Sequence, residues 1–213
     1  MLDENALFFF TGFRNTILLA AGAMAASLVI GTFMASLRVW GGPLLRSLAG
    51  AYVEFFRNTP LLVQLLFTAV LFAPANLGIT GEPLVAGVIA LAVYTGAFVT
   101  EVVRSGILSV DVRQLEAARS LGLTQLQALR FVVLPQAIRT VIPPLGNLGI
   151  ALVKNTSIVG GIAAFELLKV ASVLETQTAQ FSWFIAAVIC FWALTLPLAW
   201  LVNQLEHRLA YAR

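Results

Sequence analysis

Long stretches of this 213-residue chain contain no aspartate, glutamate, lysine or arginine. The clearest ones cover residues 15–37, 83–100 and 176–205, and a membrane helix needs about 20 mostly apolar residues. Over the whole chain 60% of the residues are hydrophobic and 11% are charged, whereas soluble domains carry about 25% charged residues. A water-soluble fold and a disordered chain are therefore excluded, and an integral membrane protein remains.

These segments predict an all-α, polytopic membrane protein in which residues 1–213 form one transmembrane domain. We expect five spans, at approximately residues 15–37, 58–75, 83–103, 131–153 and 179–204. The fourth contains Arg139 and the prolines Pro135, Pro143 and Pro144. Proline in a membrane helix is tolerated where neighbouring protein or a water-filled cavity satisfies the freed backbone groups. We therefore predict that this span is bent, buried and next to a pathway.

The positive charges predict how the chain is oriented in the membrane. Five spans place the two termini on opposite sides. If the N-terminus lies outside, the inner segments carry ten of the thirteen lysines and arginines, while the outer segments carry Arg14, Lys154 and Lys169. The ten inner residues are Arg38, Arg46, Arg57, Arg104, Arg113, Arg119, Arg130, Arg139, Arg208 and Arg213. Because cytoplasmic loops carry the excess of positive charge, we predict an N-out, C-in orientation.

The inner loop at approximately residues 108–130 is too polar to lie wholly in lipid, and it predicts two short helices. Asp111 with Gln114, and Thr124 with Gln127, have the spacing of capping boxes that begin helices. Gly122 is suited to end the first helix, because glycine readily adopts the left-handed conformation. Such a hairpin suits docking into a groove on a soluble partner, but it could equally be a loop that only connects two spans.

The sequence offers little for catalysis or metal binding. Its one cysteine, Cys190, and its one histidine, His207, exclude an intramolecular disulfide and a metal site rich in cysteine or histidine. His207 lies beside Arg208 in a terminal tail, so we expect a solvated side chain rather than a catalytic one. We expect a non-catalytic subunit with no metal and no cofactor of its own. The net charge of +3 requires no nucleic acid partner, because it belongs to inner loops.

A fixed pattern in residues 116–135 identifies a family. It consists of Glu116-Ala117-Ala118, then Gly122, Val132 and Leu134-Pro135, and it resembles the EAA loop of ABC-importer permeases, with valine in place of isoleucine as the one departure. Other segments resemble the polar amino-acid subfamily of histidine, glutamine and glutamate type, and the combination is most similar to glutamate permeases. Those segments are Phe56–Leu61, Tyr94-Thr95, Glu101, Arg104–Gly106, Leu134–Ala137, Pro144–Asn147 and Lys154–Ser157.

The resemblance implies a membrane subunit of a type I ABC importer in the inner or plasma membrane of a prokaryote. In that family two permease subunits, identical or different, form the pathway, and amino-acid systems often use two different ones. Two ATPase subunits bind below and an extracytoplasmic binding protein delivers the substrate. The chain has no G-x-x-x-x-G-K-[ST] sequence, so ATP and magnesium would be used by the partner ATPase. The implied activity is inward transport of a polar amino acid, with glutamate, aspartate or glutamine favoured, by alternating access.

The resemblance also implies which residues couple the chain to the ATPase. They are Glu116, Ala117, Ala118, Gly122, Leu123, Leu134 and Pro135. Gly122 would supply a flexible joint, and the two alanines a small face that lets another surface approach closely. The alternative for Glu116 is an exposed side chain paired with Arg113 or Arg119 one turn away, which would contribute only a few tenths of a kcal/mol.

Polar residues within apolar segments are candidates for the substrate pathway. Lys154 ends such a segment, is followed by Asn155, Thr156 and Ser157, and could meet a substrate carboxylate. Alternatively, Lys154 reaches to the outer interface and the next three residues cap a new helix. Tyr94 and Thr95 are weaker candidates. Two other functions stay open at this stage, a secondary transporter or channel without ATP coupling and a membrane anchor with no pathway.

Overall fold

A computed structural model describes the chain from Leu2 to Ala210, so Arg213, which the orientation argument counts, lies outside the described residues. Within that range the chain forms nine α-helices and no strand. The helices are α1 (Leu2–Trp40), α2 (Pro43–Asn58), α3 (Leu61–Phe72), α4 (Pro83–Leu108), α5 (Val112–Ser120), α6 (Gln125–Ala128), α7 (Leu134–Asn155), α8 (Leu167–Thr178) and α9 (Ser182–Ala210). A π-helical turn, Leu129–Val133, joins α6 to α7, and a 3-10 helix, Thr156–Ile162, follows α7.

Close packing at glycines defines the directions of the long helices. A methyl group at Gly22 of α1 would touch Val88, and one at Gly31 would collide with Val99, so α1 and α4 lie side by side and run parallel. Gly87 faces Val159 in the 3-10 helix after α7, and Gly106 faces Val141, so α7 runs antiparallel to α4. The chain must therefore cross back between α1 and α4.

The last long helix runs in the same direction as α1. Near its start, the ring of Trp183 lies 5.5 Å from the ring of Phe9 in the first turns of α1. Near its end, Val202 packs against Gly146 of α7. Helices α1, α4 and α9 therefore share one direction and α7 opposes them. This arrangement places the start of α1 and the end of α9 at opposite ends of the bundle.

Three helical segments are long and apolar enough to cross a membrane alone, namely Glu4–Trp40, Pro83–Leu108 and Ser182–Leu209. The number rises to five if each of two bent helix pairs is counted as one span. The span predicted at 58–75 is not a single helix, because α3 has only 12 residues and is about 18 Å long. It pairs with α2 across a bend of 110°. Pro60 causes the break, since it holds Thr59 in an extended conformation.

The prolines of the fourth predicted span do not interrupt its helix. Pro143 and Pro144 lie inside α7, and the 52° bend falls after Ile162, before α8 begins at Leu167. The carbonyl groups that the prolines leave without a donor belong to Arg139 and Thr140. Arg139 is exposed and Thr140 is half-buried, and the helix continues through both prolines.

Two apolar clusters hold the bundle together. The larger joins α1, α3, α4 and the end of α7 around Leu19, Leu65, Leu91 and Leu152. The smaller joins the start of α1 to α8 and α9, with Phe9, Leu167, Val170, Ala171, Leu174 and Ala187 buried in it. Large apolar side chains also remain exposed on α3 and α9, among them Phe67, Val70, Trp192 and Trp200. These exposed apolar faces fit a protein surrounded by lipid and partner subunits.

Candidate functional site

The loop between α4 and α7 folds into the helical hairpin that the sequence predicts. The Asp111 carboxylate accepts a hydrogen bond of 2.9 Å from the Arg113 N–H and begins α5. At the other end, Gly122 adopts φ +87°, its N–H donates to the Arg119 carbonyl, and the Leu123 N–H donates to the Ala118 carbonyl. This pair of bonds is a Schellman motif, which confirms Gly122 as the end of the first helix.

One of the two predicted capping boxes forms and the other does not. Thr124 accepts from the backbone of Gln127, and the Gln127 side chain accepts from the backbone of Thr124, so the second box is confirmed. In the first box Asp111 caps α5, but the Gln114 side chain does not bond back to the Asp111 backbone, so this half of the prediction is wrong. The Gln114 side chain accepts instead from the Gln136 amide, which ties α5 to the first turn of α7. Sequence spacing alone could not find this contact, because the two residues meet only when the hairpin folds back.

The hairpin exposes the residues assigned to coupling. Glu116 and Ala117 are exposed, whereas Ala118 is buried against the rest of the protein. Two leucines flank the glycine turn with unusually open side chains, Leu121 at 84% and Leu126 at 74% exposure. Within the described chain Glu116 is exposed and makes no ion pair with Arg113 or Arg119. Leu123 is half-buried, while Leu134 and Pro135 are exposed at the start of α7.

The packing register brings the pathway candidates to one level of the bundle. Lys154 lies five residues before Val159, or about 7.5 Å along the helix axis. Because α7 runs antiparallel to α4 and Val159 faces Gly87, Lys154 lies level with residues 92–94 of α4, near the middle of that helix. Lys154 is exposed, Tyr94 is half-buried with its ring 5.1 Å from that of Phe98, and Thr95 is buried.

The polar residues after Lys154 bond to their own helix. The Thr156 hydroxyl donates to the Val153 carbonyl and the Ser157 hydroxyl donates to the Lys154 carbonyl, both at 2.7 Å. Asn155 is half-buried and makes no side-chain cap. These residues therefore do not begin a new helix, since α7 continues directly into the 3-10 turn. Within the described chain, the Asn155 amide and the Lys154 ammonium have no hydrogen-bond or ion-pair partner. Both groups are therefore available to groups outside this chain.

Two ion pairs and one cation–π contact join α1, α2 and α4 near the hairpin. We call this group the ion-pair cluster. Glu101 of α4 pairs with Arg38 at the end of α1 and, at 2.9 Å, with Arg104 one turn along α4. The Arg57 guanidinium at the end of α2 lies 5.3 Å above the ring of Phe98. The spacing of three residues between Glu101 and Arg104 brings the two side chains together on one face of α4.

Comparison with known proteins identifies the family. Residues 27–211 match the model described as "Binding-protein-dependent transport system inner membrane component". The chain belongs to this family. The resemblance based on residues 116–135 is therefore confirmed, and the ion-pair cluster and hairpin described above are features of an inner membrane transport component.

Individual relatives cover almost the whole of this transport component. The probable glutamine ABC transporter permease protein GlnM of Bacillus subtilis (strain 168) is 42% identical, over 98% of this chain and 96% of the relative. The glutamate transport system permease protein GluC of Corynebacterium glutamicum is 38% identical, over 95% of this chain and 92% of the relative. A crystal structure of an amino acid ABC transporter with histidines is 34% identical, with a TM-score of 0.88 over 97% of this chain and 96% of that chain.

Sequence reasoning missed a buried polar contact at the end of the transport component opposite the hairpin. The Asn15 amide donates to the Phe165 carbonyl at 2.8 Å, and the Thr16 hydroxyl accepts from the Leu167 N–H at 3.0 Å. Glu166 is fully buried and accepts from the N–H groups of Leu168 and Lys169, which caps α8. We call Asn15, Thr16 and Glu166 the polar latch. Asn15 and Thr16 precede an apolar run, so they read as its polar edge, and only tertiary contact reveals their partners.

A second missed residue stabilises the bend between α2 and α3. The Gln64 amide donates to the Phe56 carbonyl, the Thr59 carbonyl and the Thr59 hydroxyl. Gln64 therefore satisfies backbone groups that the end of α2 leaves open. The sequence signal was present, since Gln64 is a lone amide in an apolar segment, but the motif Asn58-Thr59-Pro60 suggested only a helix start.

Proposed function

We propose that this protein is one permease subunit of an ATP-driven ABC importer that moves a polar amino acid inward by alternating access. The substrate class is glutamine or glutamate, with aspartate as a close analogue. The named functions of GlnM and GluC support this choice, as does the fold shared with an amino acid ABC transporter. ATP and magnesium are used by a separate ATPase, and the chain itself is non-catalytic.

The exposed hairpin is the observation that carries this proposal. It presents Glu116, Ala117, Leu121 and Leu126 at the end of the bundle where α4 stops and α7 starts. Leu121 and Leu126, at 84% and 74% exposure, offer apolar contact area on an otherwise polar loop. A soluble ATPase that receives α5 in a groove covers them.

The hairpin is also built to transmit movement. Asp111 and the Schellman motif make α5 a short rigid unit, and the Gln114–Gln136 contact joins it to the start of α7. A shift of α5 on the ATPase therefore moves α7, which carries Lys154 at its far end. The π-helical turn Leu129–Val133 provides a place where the connection can change shape, since such turns are often functional.

The proposed contacts with the substrate are Lys154, Asn155, Tyr94 and Thr95. Both amino acid substrates carry a carboxylate, and an exposed ammonium near the middle of the bundle is costly unless it meets an anion or water. The free Asn155 amide adds a donor and an acceptor for the substrate's other polar groups. Thr156 and Ser157, whose hydroxyls bond within the helix, shape this part of the pathway.

We extend the proposal to the orientation of the chain and to its partners. The N-terminus lies outside, so the arginine-rich end with the hairpin faces the cytoplasm of a prokaryotic cell. A second permease subunit, identical or different, covers an exposed apolar face of the bundle. An extracytoplasmic amino-acid-binding protein docks at the end that carries α8 and the polar latch.

A proline exchange tests the coupling. Gly122→Pro forces φ from +87° to about −65° and removes the N–H that bonds to Arg119. We expect the complex to lose ATP-dependent uptake in vesicles while the subunit remains in the membrane. Gly42→Pro is the matched control, because φ at Gly42 is already −63° and a side chain there meets nothing within 4 Å.

Two results would count against coupling through the hairpin. Uptake that persists in vesicles lacking any ATPase would favour the alternative, a secondary transporter or channel. Uptake that Gly122→Pro and Gly42→Pro leave equally intact would exclude the hairpin as the coupling element.

The substrate class needs a separate measurement. Vesicles containing the complete transporter and its binding protein are supplied with labelled glutamine, glutamate, aspartate or arginine. We expect ATP-dependent uptake of glutamine or glutamate in preference to arginine. Equal uptake of arginine and glutamate would reject the proposed class without touching the coupling proposal.

A further inference from the structure

Arg57, in the last turn of α2, is a charged residue to which the proposed function gives no role. In the sequence it directly precedes the second predicted span, so it counts among the inner segments. In the structure its guanidinium lies 5.3 Å from the centre of the Phe98 ring. Phe98 lies ten residues, or about 15 Å, before the end of α4 at Leu108. The guanidinium therefore lies alongside a membrane-spanning helix and not beyond its end.

The packing of α2 against α4 explains this depth. The Tyr52 hydroxyl donates to the Val93 carbonyl at 2.7 Å, near the middle of α4. A methyl group at Gly96 would lie 2.8 Å from the same hydroxyl, so the two helices touch here. Tyr52 precedes Arg57 by five residues on α2. The second half of α2 therefore lies along the middle of α4, where the long Arg57 side chain is exposed.

No carboxylate pairs with Arg57 in the part of the chain that the structure describes. Glu54, one turn earlier on α2, instead accepts a hydrogen bond from the Asn58 amide. Glu101 already pairs with two other arginines. An exposed guanidinium alongside a membrane-spanning helix is costly against lipid, so we expect it to face water, a partner subunit or an anion.

The rings beside Arg57 lead to the proposed substrate contacts. The Phe98 ring lies 5.1 Å from the Tyr94 ring, one turn back on the same face of α4. Both residues are half-buried, so this face of α4 is not sealed in the core. Lys154 lies level with residues 92–94, which places the Arg57 guanidinium about 6–9 Å closer to the hairpin along the bundle. Two cations without ion-pair partners therefore follow one another along the bundle.

We propose that Arg57 is a second residue that binds the carboxylate of the substrate, on the inward side of Lys154. This inference rests on the proposed function, because it assigns Arg57 to the same pathway. A planar guanidinium donates two parallel hydrogen bonds to one carboxylate, and the Phe98 ring holds it in place by a cation–π contact. The carboxylate leaves Lys154 when the pathway opens inward and meets Arg57 next. Its ligand is the α-carboxylate, which glutamine and glutamate share.

Uptake by vesicles that contain the complete transporter and its binding protein tests the charge of Arg57. Arg57→Gln removes this charge, and Arg57→Lys keeps it without the planar fork. Arg46→Gln is the matched control, because Arg46 is an exposed arginine earlier on the same helix. We expect Arg57→Gln to lower ATP-dependent uptake at saturating substrate roughly tenfold, as for the loss of a charged hydrogen bond. Arg57→Lys should restore part of the uptake, and Arg46→Gln should transport as wild type.

A labelling experiment separates substrate contact from a structural role. Cys190 is the one cysteine of the chain, so Cys190→Ser provides a background for Arg57→Cys and for the control Arg46→Cys. The purified complete transporter is treated with an anionic methanethiosulfonate reagent, with and without the transported amino acid. At about twice the half-saturating concentration we expect the amino acid to slow labelling of Arg57→Cys roughly threefold. Labelling of Arg46→Cys should not change.

Each contrary result overturns the assignment of Arg57. Equal uptake by Arg57→Gln and Arg46→Gln would overturn it and leave the proposed function intact. Labelling of Arg57→Cys that the amino acid does not slow would also overturn it, and any loss of uptake would then be structural. If the wild type takes up no amino acid with ATP, the proposed function fails and this inference fails with it.

Discussion

The residues that carry the proposed function make few contacts within their own subunit. Glu116 and Lys154 are exposed, and neither forms an ion pair in the described chain. A charged side chain that stabilises nothing locally is free to meet a partner or a substrate. Substitutions at these two positions therefore separate function from folding, because the free energy of unfolding does not depend on them.

At Glu116 we predict that Glu116→Gln abolishes or strongly lowers ATP-dependent uptake and leaves stability unchanged within about 0.5 kcal/mol, as expected for an exposed surface site. The measurements are uptake by vesicles and thermal unfolding of the purified complex. Glu206→Gln, also exposed, serves as control and should change neither. Normal uptake by Glu116→Gln would remove this residue from the coupling surface.

At Lys154 we predict that Lys154→Met raises the substrate concentration needed for half-maximal uptake and does not lower the unfolding temperature. The physical reason is loss of the ammonium that meets the substrate carboxylate, without loss of any internal contact. Arg14→Met removes another exposed cation, toward the end of the bundle opposite the hairpin, and should leave uptake unchanged. If both variants behave as wild type, Lys154 is only an anchor.

At the scale of elements, breaks and turns decide how helices are placed. The turn before α8 includes Ala163 in the left-handed conformation at φ 62°, which is unfavourable for a residue with a side chain. The polar latch holds this turn against α1 through buried hydrogen bonds of Asn15 and Thr16. The position of α8, the proposed outer docking element, therefore depends on hydrogen bonds as well as on apolar packing.

For the polar latch we predict that Thr16→Val destabilises the protein by about 1–3 kcal/mol, because the buried Leu167 N–H loses its only acceptor. Thermal unfolding in detergent measures the effect. Thr11→Val is the control on the same helix, since its hydroxyl bonds only to the Leu7 carbonyl one turn back. Equal unfolding temperatures for the two variants would mean that the latch adds no stability.

At the scale of the whole molecule, the long helices are joined at both ends. The polar latch ties α1 to α8 at one end, and Glu101 ties α1 to α4 at the other. Between these ends glycines allow α1, α4 and α7 to approach closely, as at Gly31 and Gly106. Because α1 and α4 are joined in this way, we expect them to behave as one unit if the hairpin moves as proposed.

For the ion-pair cluster we predict that Glu101→Gln lowers stability by about 1.5–3 kcal/mol, because Arg38 and Arg104 lose a charged acceptor and repel each other. Uptake should fall with it. Glu82→Gln is the matched control at the other end of α4, where the side chain is exposed and makes no cap. A loss no larger than in this control would show that the cluster is held by packing alone.

The sequence by itself determined the class of protein, the family and the hairpin. Charge-free segments, the spacing from Glu116 to Pro135, and the caps at Thr124 and Gly122 act over one or two turns, so they can be read without tertiary contacts. The bend at Thr59 could be predicted from the sequence only in part. Pro60 favours an extended conformation at Thr59, but the packing of α3 beyond the bend involves Gln64 and the larger apolar cluster.

Only the tertiary structure decided which distant residues meet. The parallel packing of α1 and α4, the polar latch, the Gln114–Gln136 contact and the shared level of Lys154 and Tyr94 all join residues far apart in the chain. The continuation of α7 through Pro143 and Pro144 belongs here too, because proline by itself favours an interruption of a helix. Such contacts depend on the register between helices, and that register is set by close packing across the whole bundle.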